Sequence, residues 1–336
     1  MTITAPPYTL TPIILDLAER IGEAIGRAED TAVQADLLLR RANRIRTIHG
    51  SLAIEGNTLT EEQVSTILEG RPVIAPLREV QEVRNAIKAY EQFPQWNPGR
   101  EADLLSGHGV LMAGLLDAPG RYRRGGVGVM GPAEVHHIGP PADRVSHLMS
   151  NLLSWLDSTE EHPLIASSVF HYEFEFIHPF EDGNGRMGRL WQTLILTRWK
   201  PLFAHVPVES LVHARQSEYY EAIRDSSARG ESTPFIVFML EAILEAVRGF
   251  GATDQDSDQV SDQVGRLLAT LRDGPKTATK LMAAFGLSHR PTFRENYIRP
   301  ALGAGLIEMT RPESPTARNQ KYRLTARGRA FKDLAN

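Results

Sequence analysis

Residues 178–190 read His-Pro-Phe-Glu-Asp-Gly-Asn-Gly-Arg-Met-Gly-Arg-Leu, and the fold turns on this stretch. It gathers an imidazole, two carboxylates, two arginines and an asparagine flanked by Gly183 and Gly185. Apolar segments adjoin it on both sides, at 164–177 and 190–196. Each has the length and composition of a buried helix, so the polar cluster sits between two helices with its turn at 181–185.

The residue types then suggest a chemistry. Gly183 and Gly185 permit backbone conformations that other residues resist. Placed just before a helix, they leave N–H groups aimed at one spot, where the positive helix end also points. That is a site for an anion. Arg186 and Arg189, three apart, share a helix face and reach toward the same anion, which argues for more than one phosphate. Asp182 beside them suits a magnesium ion bridging phosphates. His178 is the natural general base near neutral pH. Phosphoryl or nucleotidyl transfer follows from such a set. The chain has no P-loop pattern at this site. His171, seven residues before His178, admits a two-histidine metal site. With no further ligand at metal spacing, a hydrogen-bonded core histidine is the better reading.

Working outward toward the N-terminus, residues 13–48 carry helical periodicity, with Arg40, Arg41, Arg44 and Arg46 as a solvated face. Ser51-Leu-Ala-Ile-Glu55-Gly56-Asn57 ends a helix at the Gly-Asn pair. Glu55 then sits in the last turn, where the helix dipole disfavours an acid. Thr60 and Gln63 form a capping box for a helix over 61–68. Further helices are expected at 77–93, 103–115, 144–156, 208–227 and 234–248. A hairpin is expected from 125–130 and 135–138 around Gly131-Pro132-Ala133, with His136 and His137 on its return strand. The small, polar, acidic stretch 249–260 reads as a linker.

Beyond the linker the charge changes sign. Residues 261–336 hold 14 Lys and Arg against 6 Asp and Glu, a balance of +8 within a chain of net charge −4. Helices there precede two short strands, at 306–310 and 321–324, in a winged helix-turn-helix layout. Such a module binds DNA or serves packing and dimerisation. The 336 residues contain no cysteine, which excludes disulfides and thiolate metal sites. The first residues carry no basic, apolar signal pattern, and no apolar run is long enough to span a membrane. A cytoplasmic location is the expectation.

Residues 178–189 match HxFx(D/E)GNGRxxR at every specified position, and through them the chain resembles the Fic family. The resemblance implies a mainly α fold, a Fic helical core with a β-hairpin flap, followed by a C-terminal winged helix-turn-helix domain. Its implied parts are an N-terminal helical region, 1–100, with an inhibitory motif at 51–57; a Fic core, 101–248, with its signature at 178–189 and flap at 125–140; the linker 249–260; and the winged-helix domain 261–336. The last match rests on layout and on Arg299-Pro-Ala-Leu302 and Gln320-Lys-Tyr-Arg-Leu-Thr325.

The resemblance also assigns roles. His178 would deprotonate a Ser, Thr or Tyr hydroxyl of a protein target, or of the chain itself, for attack on the α-phosphate of ATP. Asp182 would bind Mg2+. Gly183, Asn184 and Gly185 would hold phosphate oxygens, and Arg186 and Arg189 the β- and γ-phosphates. Val135, His136, His137 and Ile138 would dock the target segment as an added strand. Tyr219 and Tyr220 resemble a pair near the adenine, although Ser227 stands where an Asn often follows. Ser51 and Glu55 match the motif (S/T)xxxE(G/N), whose glutamate would pair with Arg189 and inhibit AMP transfer. Other outcomes remain open: removal of AMP, a different donor, a DNA-binding regulator with a sensory Fic core acting through 261–336, and a homodimer.

Overall fold

The computed structural model describes residues 5–32, 37–126, 128–130, 135–287, 289–303, 305–311, 320–325 and 328–329. It is mainly helical and divides into two units, Met1–Phe250 and Gly251–Asn336. No helix among the described residues is long and apolar enough to cross a membrane.

In the first unit the helices are α1 (Pro12–Ala32), α2 (Leu37–Ile54), α3 (Glu61–Leu68), α4 (Leu77–Gln92) and α5 (Glu101–Leu111). A hairpin follows, β1 (Gly128–Met130) antiparallel to β2 (Val135–Ile138), with Val129 opposite His137 and Gly128 opposite Ile138. Then come α6 (Ala142–Ser158), α7 (Pro163–Ile177), α8 (Asn184–Trp199), α9 (Val208–Ala214), α10 (Gln216–Arg229) and the start of α11 (Thr233–Leu271), whose residues from Gly251 on belong to the second unit. The expected single helix at 208–227 is in fact two. Arg215, at φ −110 and ψ 33, leaves the helical region and separates α9 from α10.

The core is built on α7 and α8, which pack along each other and are buried on nearly every face. Phe170, Phe174, Trp191 and Leu194 are at most 1% exposed. That all-round burial explains why their sequences show little amphipathic pattern. The helix pair brackets the loop 178–183, so both ends of it are anchored in buried helices.

α2 lies against α9 and reaches α8. Gly50 makes this approach close: a Cβ there would stand 2.8 Å from the backbone of Glu209 and Ser210. Gly50→Ala is therefore expected to cost about 1–3 kcal/mol, the range for overpacking a close contact. A shift of the urea midpoint would measure it; an unchanged midpoint would contradict this packing. Thr60 and Gln63 make the expected capping box on α3.

The second unit contains β3 (Lys276–Thr277), α12 (Ala278–Ala284), α13 (Arg290–Phe293), α14 (Arg299–Gly303), β4 (Ile307–Met309) and β5 (Lys321–Leu324). Its sheet has three antiparallel strands in the order β3-β5-β4, one more than the sequence suggested. Leu267, Leu281, Phe293, Ala301 and Ile307 form part of its own core. The stretch 249–260, read from the sequence as a linker, lies within α11 and is helical. It contains no proline, and its two glycines cost only about 1 kcal/mol each in a helix.

Candidate active site

The loop between α7 and α8 is shaped by three local features. His178 caps α7 at φ 48 and ψ 63 and is the one non-glycine residue at positive φ among those described. Gly183 precedes α8 at φ 85, and a Cβ there would lie 2.6 Å from Met112 Sδ. Asn184 closes the loop: the Phe180 N–H donates to its Oδ1 at 2.8 Å, and its Nδ2 donates to Phe180 O at 2.9 Å. Asn184 is 2% exposed, so its side chain is a structural clasp. The family resemblance implied a contact with phosphate oxygens; its side-chain groups instead bond to the Phe180 backbone.

His108 holds the loop from the other side. The Gly120 N–H donates to its Nδ1 at 2.8 Å, so Nε2 carries the proton and donates to Asp182 O at 3.0 Å. Its ring stacks on Phe180 with centroids 3.7 Å apart. Burial pushes its pKa down to about 4, which keeps the ring neutral in this role.

The first bond of the α8 ladder runs from the Met187 N–H to Gly183 O. The N–H groups of residues 184–186 therefore lie ahead of the ladder, at the positive end of the helix. The Glu55 carboxylate stands over this turn. A Cβ on Gly185 would meet Glu55 Oε1 at 2.2 Å. Arg189 Nη2 donates to Glu55 Oε1 at 2.6 Å and to Ser51 O at 2.9 Å, and Nε donates to Ser51 Oγ at 3.2 Å. The anion expected at this helix end is thus supplied by the chain itself.

Glu55 reaches it from the end of α2. Gly56 at φ 87 receives the chain, the Gly56 N–H donates to Ala53 O, and the Asn57 N–H donates to Leu52 O. These are the two bonds of a Schellman termination, and they make Glu55 the cap residue. Burial opposes the charge on Arg189, but Glu55, Tyr219 and Glu175 more than offset it, so its pKa is raised.

Arg186 and Arg189 do not share one anion. Arg186 Nη2 donates to Asp182 Oδ1 at 2.9 Å, and its Nη1 lies 3.5 Å from Glu82 Oε1. Arg78 Nη2 donates to Asp182 Oδ2 at 3.0 Å. Arg78 and Glu82 from α4 were not foreseen. No motif carries them, and only the docking of α4 on the loop brings them in. Asp182 also accepts from the Gly183 N–H at 2.6 Å and keeps 38% of its side chain exposed. Among the described residues no group of three or more His, Asp or Glu side chains could hold a metal. One partly exposed carboxylate beside a helix N-terminus nevertheless fits a magnesium ion, which takes one or two carboxylates and completes its shell with other oxygens, phosphate and water among them.

His171 is a core histidine. Its Nδ1–H donates to Gln192 Oε1 at 2.5 Å, and its Nε2 accepts from the Tyr219 hydroxyl at 3.1 Å. Burial pushes its pKa down to about 3. Tyr219 is 2% exposed, so this ring belongs to the core and offers no face to an adenine; Tyr220 alone of the pair is partly exposed. Ser227 sits by the Tyr172 hydroxyl, 3.3 Å away. The side chains of Val135, His136, His137 and Ile138 lie outside the described residues, although their strand is described.

Glu175 was also missed. It is buried, with Oε1 3.8 Å from His171 Nε2 and Oε2 4.0 Å from His178 Nδ1. Burial raises its pKa to about 8. The folded state then holds this proton at pH values where the unfolded chain has released it. Stability from this group is present below the ordinary glutamate pKa and is lost as pH rises toward 8. Glu175→Gln removes that loss. Its urea midpoint should gain on the parent's between pH 5 and pH 9, and a gap that does not widen would refute the buried neutral acid.

Residues 98–196 match the model of the Fic/DOC family, and residues 262–325 match that of the C-terminal domain of Fic-like proteins, filamentation induced by cAMP. A crystal structure of a Fic family protein from Desulfovibrio desulfuricans G20 is 54% identical, with a TM-score of 0.75 over 96% of this chain and 99% of that one. Fic-1 from C. elegans, 21% identical over 72% of this chain and 74% of its own, shares the fold with a TM-score of 0.59. The protein adenylyltransferase Fic of Aedes aegypti is 29% identical over 65% of this chain and 44% of its own length. That of Drosophila willistoni is 27% identical over 78% and 53%. The chain thus spans about half the length of these curated relatives.

Proposed function

This chain belongs to the Fic family, and we propose that it is an autoinhibited protein adenylyltransferase, moving AMP from ATP to a hydroxyl of a protein. The observation that carries the proposal is the double claim on Arg189. It stands at the last signature position, buried and aimed over the N-terminal turn of α8, and Glu55 holds it at 2.6 Å.

In the active state the polyphosphate of ATP takes the place of the Glu55 carboxylate. Arg189 and the N–H groups at the start of α8 then hold phosphate oxygens. Asp182 would hold Mg2+, which neutralises phosphate charge when bound. The acceptor hydroxyl gives its proton to the His178 imidazole as its oxygen bonds to the α-phosphorus. The bond from that phosphorus to the bridging oxygen breaks, pyrophosphate leaves, and AMP remains on the acceptor. The β1–β2 hairpin offers a strand edge on which an extended acceptor segment would dock. The test is a pair of labels: an α-labelled ATP should mark protein and a γ-labelled ATP should not. The reverse outcome would make the donor step a phosphate transfer.

A second reading concerns residues 261–336. Their balance of +8 and their order of helices and strands support a winged-helix contact with DNA. Full-length protein would then shift a duplex in a salt-dependent way, and Arg290→Glu with Arg294→Glu would weaken the shift. Salt-independent binding, or none, would leave this segment as a packing module.

A further inference from the structure

Arg123 lies in the irregular stretch between α5 and β1, yet it is only 6% exposed. Its Nε donates to His178 O at 2.7 Å, and one of its terminal nitrogens donates to Gly125 O at 2.7 Å. The other donates to Pro140 O at 2.6 Å and to Ile177 O at 3.3 Å. Its backbone N–H donates to Pro179 O at 2.9 Å. These acceptors fall into two sets. Ile177, His178 and Pro179 are the end of α7 and the residues just past it. Gly125 and Pro140 stand at the two feet of the β1–β2 hairpin.

Each set needs a donor. The last carbonyls of a helix have no partner within it, and the dipole there favours a cation. A carbonyl buried without a donor costs about 1–3 kcal/mol. A planar guanidinium with five N–H groups in a fixed fork can serve both sets at once. An ammonium, with three donors on one point, cannot span them. The same bonds hold the backbone carbonyl of the residue whose left-handed conformation aims the imidazole. The groups over the start of α8, Glu55, Ser51, Asp182 and Arg186, take part in none of these Arg123 bonds.

We infer that Arg123 is a positioning residue that fixes the hairpin relative to His178, and so sets the acceptor hydroxyl against its base. The inference rests on the adenylyltransferase reading and on the hairpin as the docking edge. Hairpin and base form one mechanical unit through this side chain, and the nucleotide cradle forms another. Losing Arg123 should therefore separate transfer from nucleotide binding. A misplacement of about 1 Å at a reacting centre costs on the order of 100-fold in rate.

The experiment compares Glu55→Gly with Glu55→Gly/Arg123→Lys as full-length proteins. Four quantities are read: label incorporated into the chain itself from α-labelled ATP, ATP affinity by calorimetry, the thermal midpoint, and hydrogen exchange of amides in 125–140. The double variant should lose on the order of 100-fold in incorporation, exchange faster along the hairpin, and bind ATP as tightly as its parent. Unchanged incorporation would overturn the inference. So would a parallel fall in ATP affinity and thermal midpoint, which would make Arg123 a general stabiliser. Failure of Glu55→Gly itself to incorporate label, with Arg123 intact, would remove the adenylyltransferase reading and this inference with it.

Discussion

Glu55→Gly should raise AMP transfer from ATP by about 100-fold or more, the order of effect of a preorganised charge at a developing anion. The resting pair explains the size. Arg189 is 2% exposed at its side chain, so its charge must be met by an anion. In the parent chain that anion is Glu55, held in place by the termination of α2. Removing it does not release the arginine, because Ser51 still accepts two hydrogen bonds from it. The guanidinium stays aimed, and the position over Gly185 is freed for a phosphate. Without nucleotide the variant should melt at a lower temperature than the parent, since a buried cation is left unmatched; ATP should restore part of the loss. Transfer of labelled AMP and thermal midpoints with and without ATP would check both parts. A variant that binds ATP but transfers no faster would show that Glu55 is not the brake.

His178→Ala and His178→Asn should each reduce transfer by about 100- to 10,000-fold, the range for losing a general base. Two variants are needed because of the backbone. At φ 48 most side chains are strained, by about 1–2 kcal/mol for an ordinary L-residue, whereas asparagine tolerates this region well. His178→Asn therefore keeps the loop and loses only the base. ATP affinity should be retained in both variants, since the imidazole does not belong to the phosphate cradle. Residual transfer in His178→Asn that equals the Glu55→Gly parent, when measured in that background, would remove His178 from the chemistry.

The signature loop was legible because its chemistry is local. A turn, a helix start and the residues flanking them occupy adjacent positions, so 178–189 and the flanking helices follow from residue types and periodicity. Glu55 was legible for a different reason: an acid at a helix end is locally unfavourable and asks for a partner. What could not be read arises from packing between distant segments. Arg78, Glu82, His108 and Arg123 carry no pattern of their own, and each acts only once its helix or loop is docked. Asn184 and Tyr219 show the reverse. Their residue types suit a ligand, but the fold spends their polar groups on Phe180 and His171. The helical course of 249–260 was missed because acidic and small residues resemble a linker while still tolerating a helix.

The close seat of Gly50 against the chain at Glu209 and Ser210 has a further consequence for control. It fixes the helix that carries Glu55, so the carboxylate behaves as a tethered ligand at a constant, high effective concentration. Diluting the protein does not weaken such a ligand. If Arg189 binds ATP as proposed, its occupancy would follow the ATP level and how often α2 leaves its seat. A partner that held α2 away would act as an activator without touching a catalytic group.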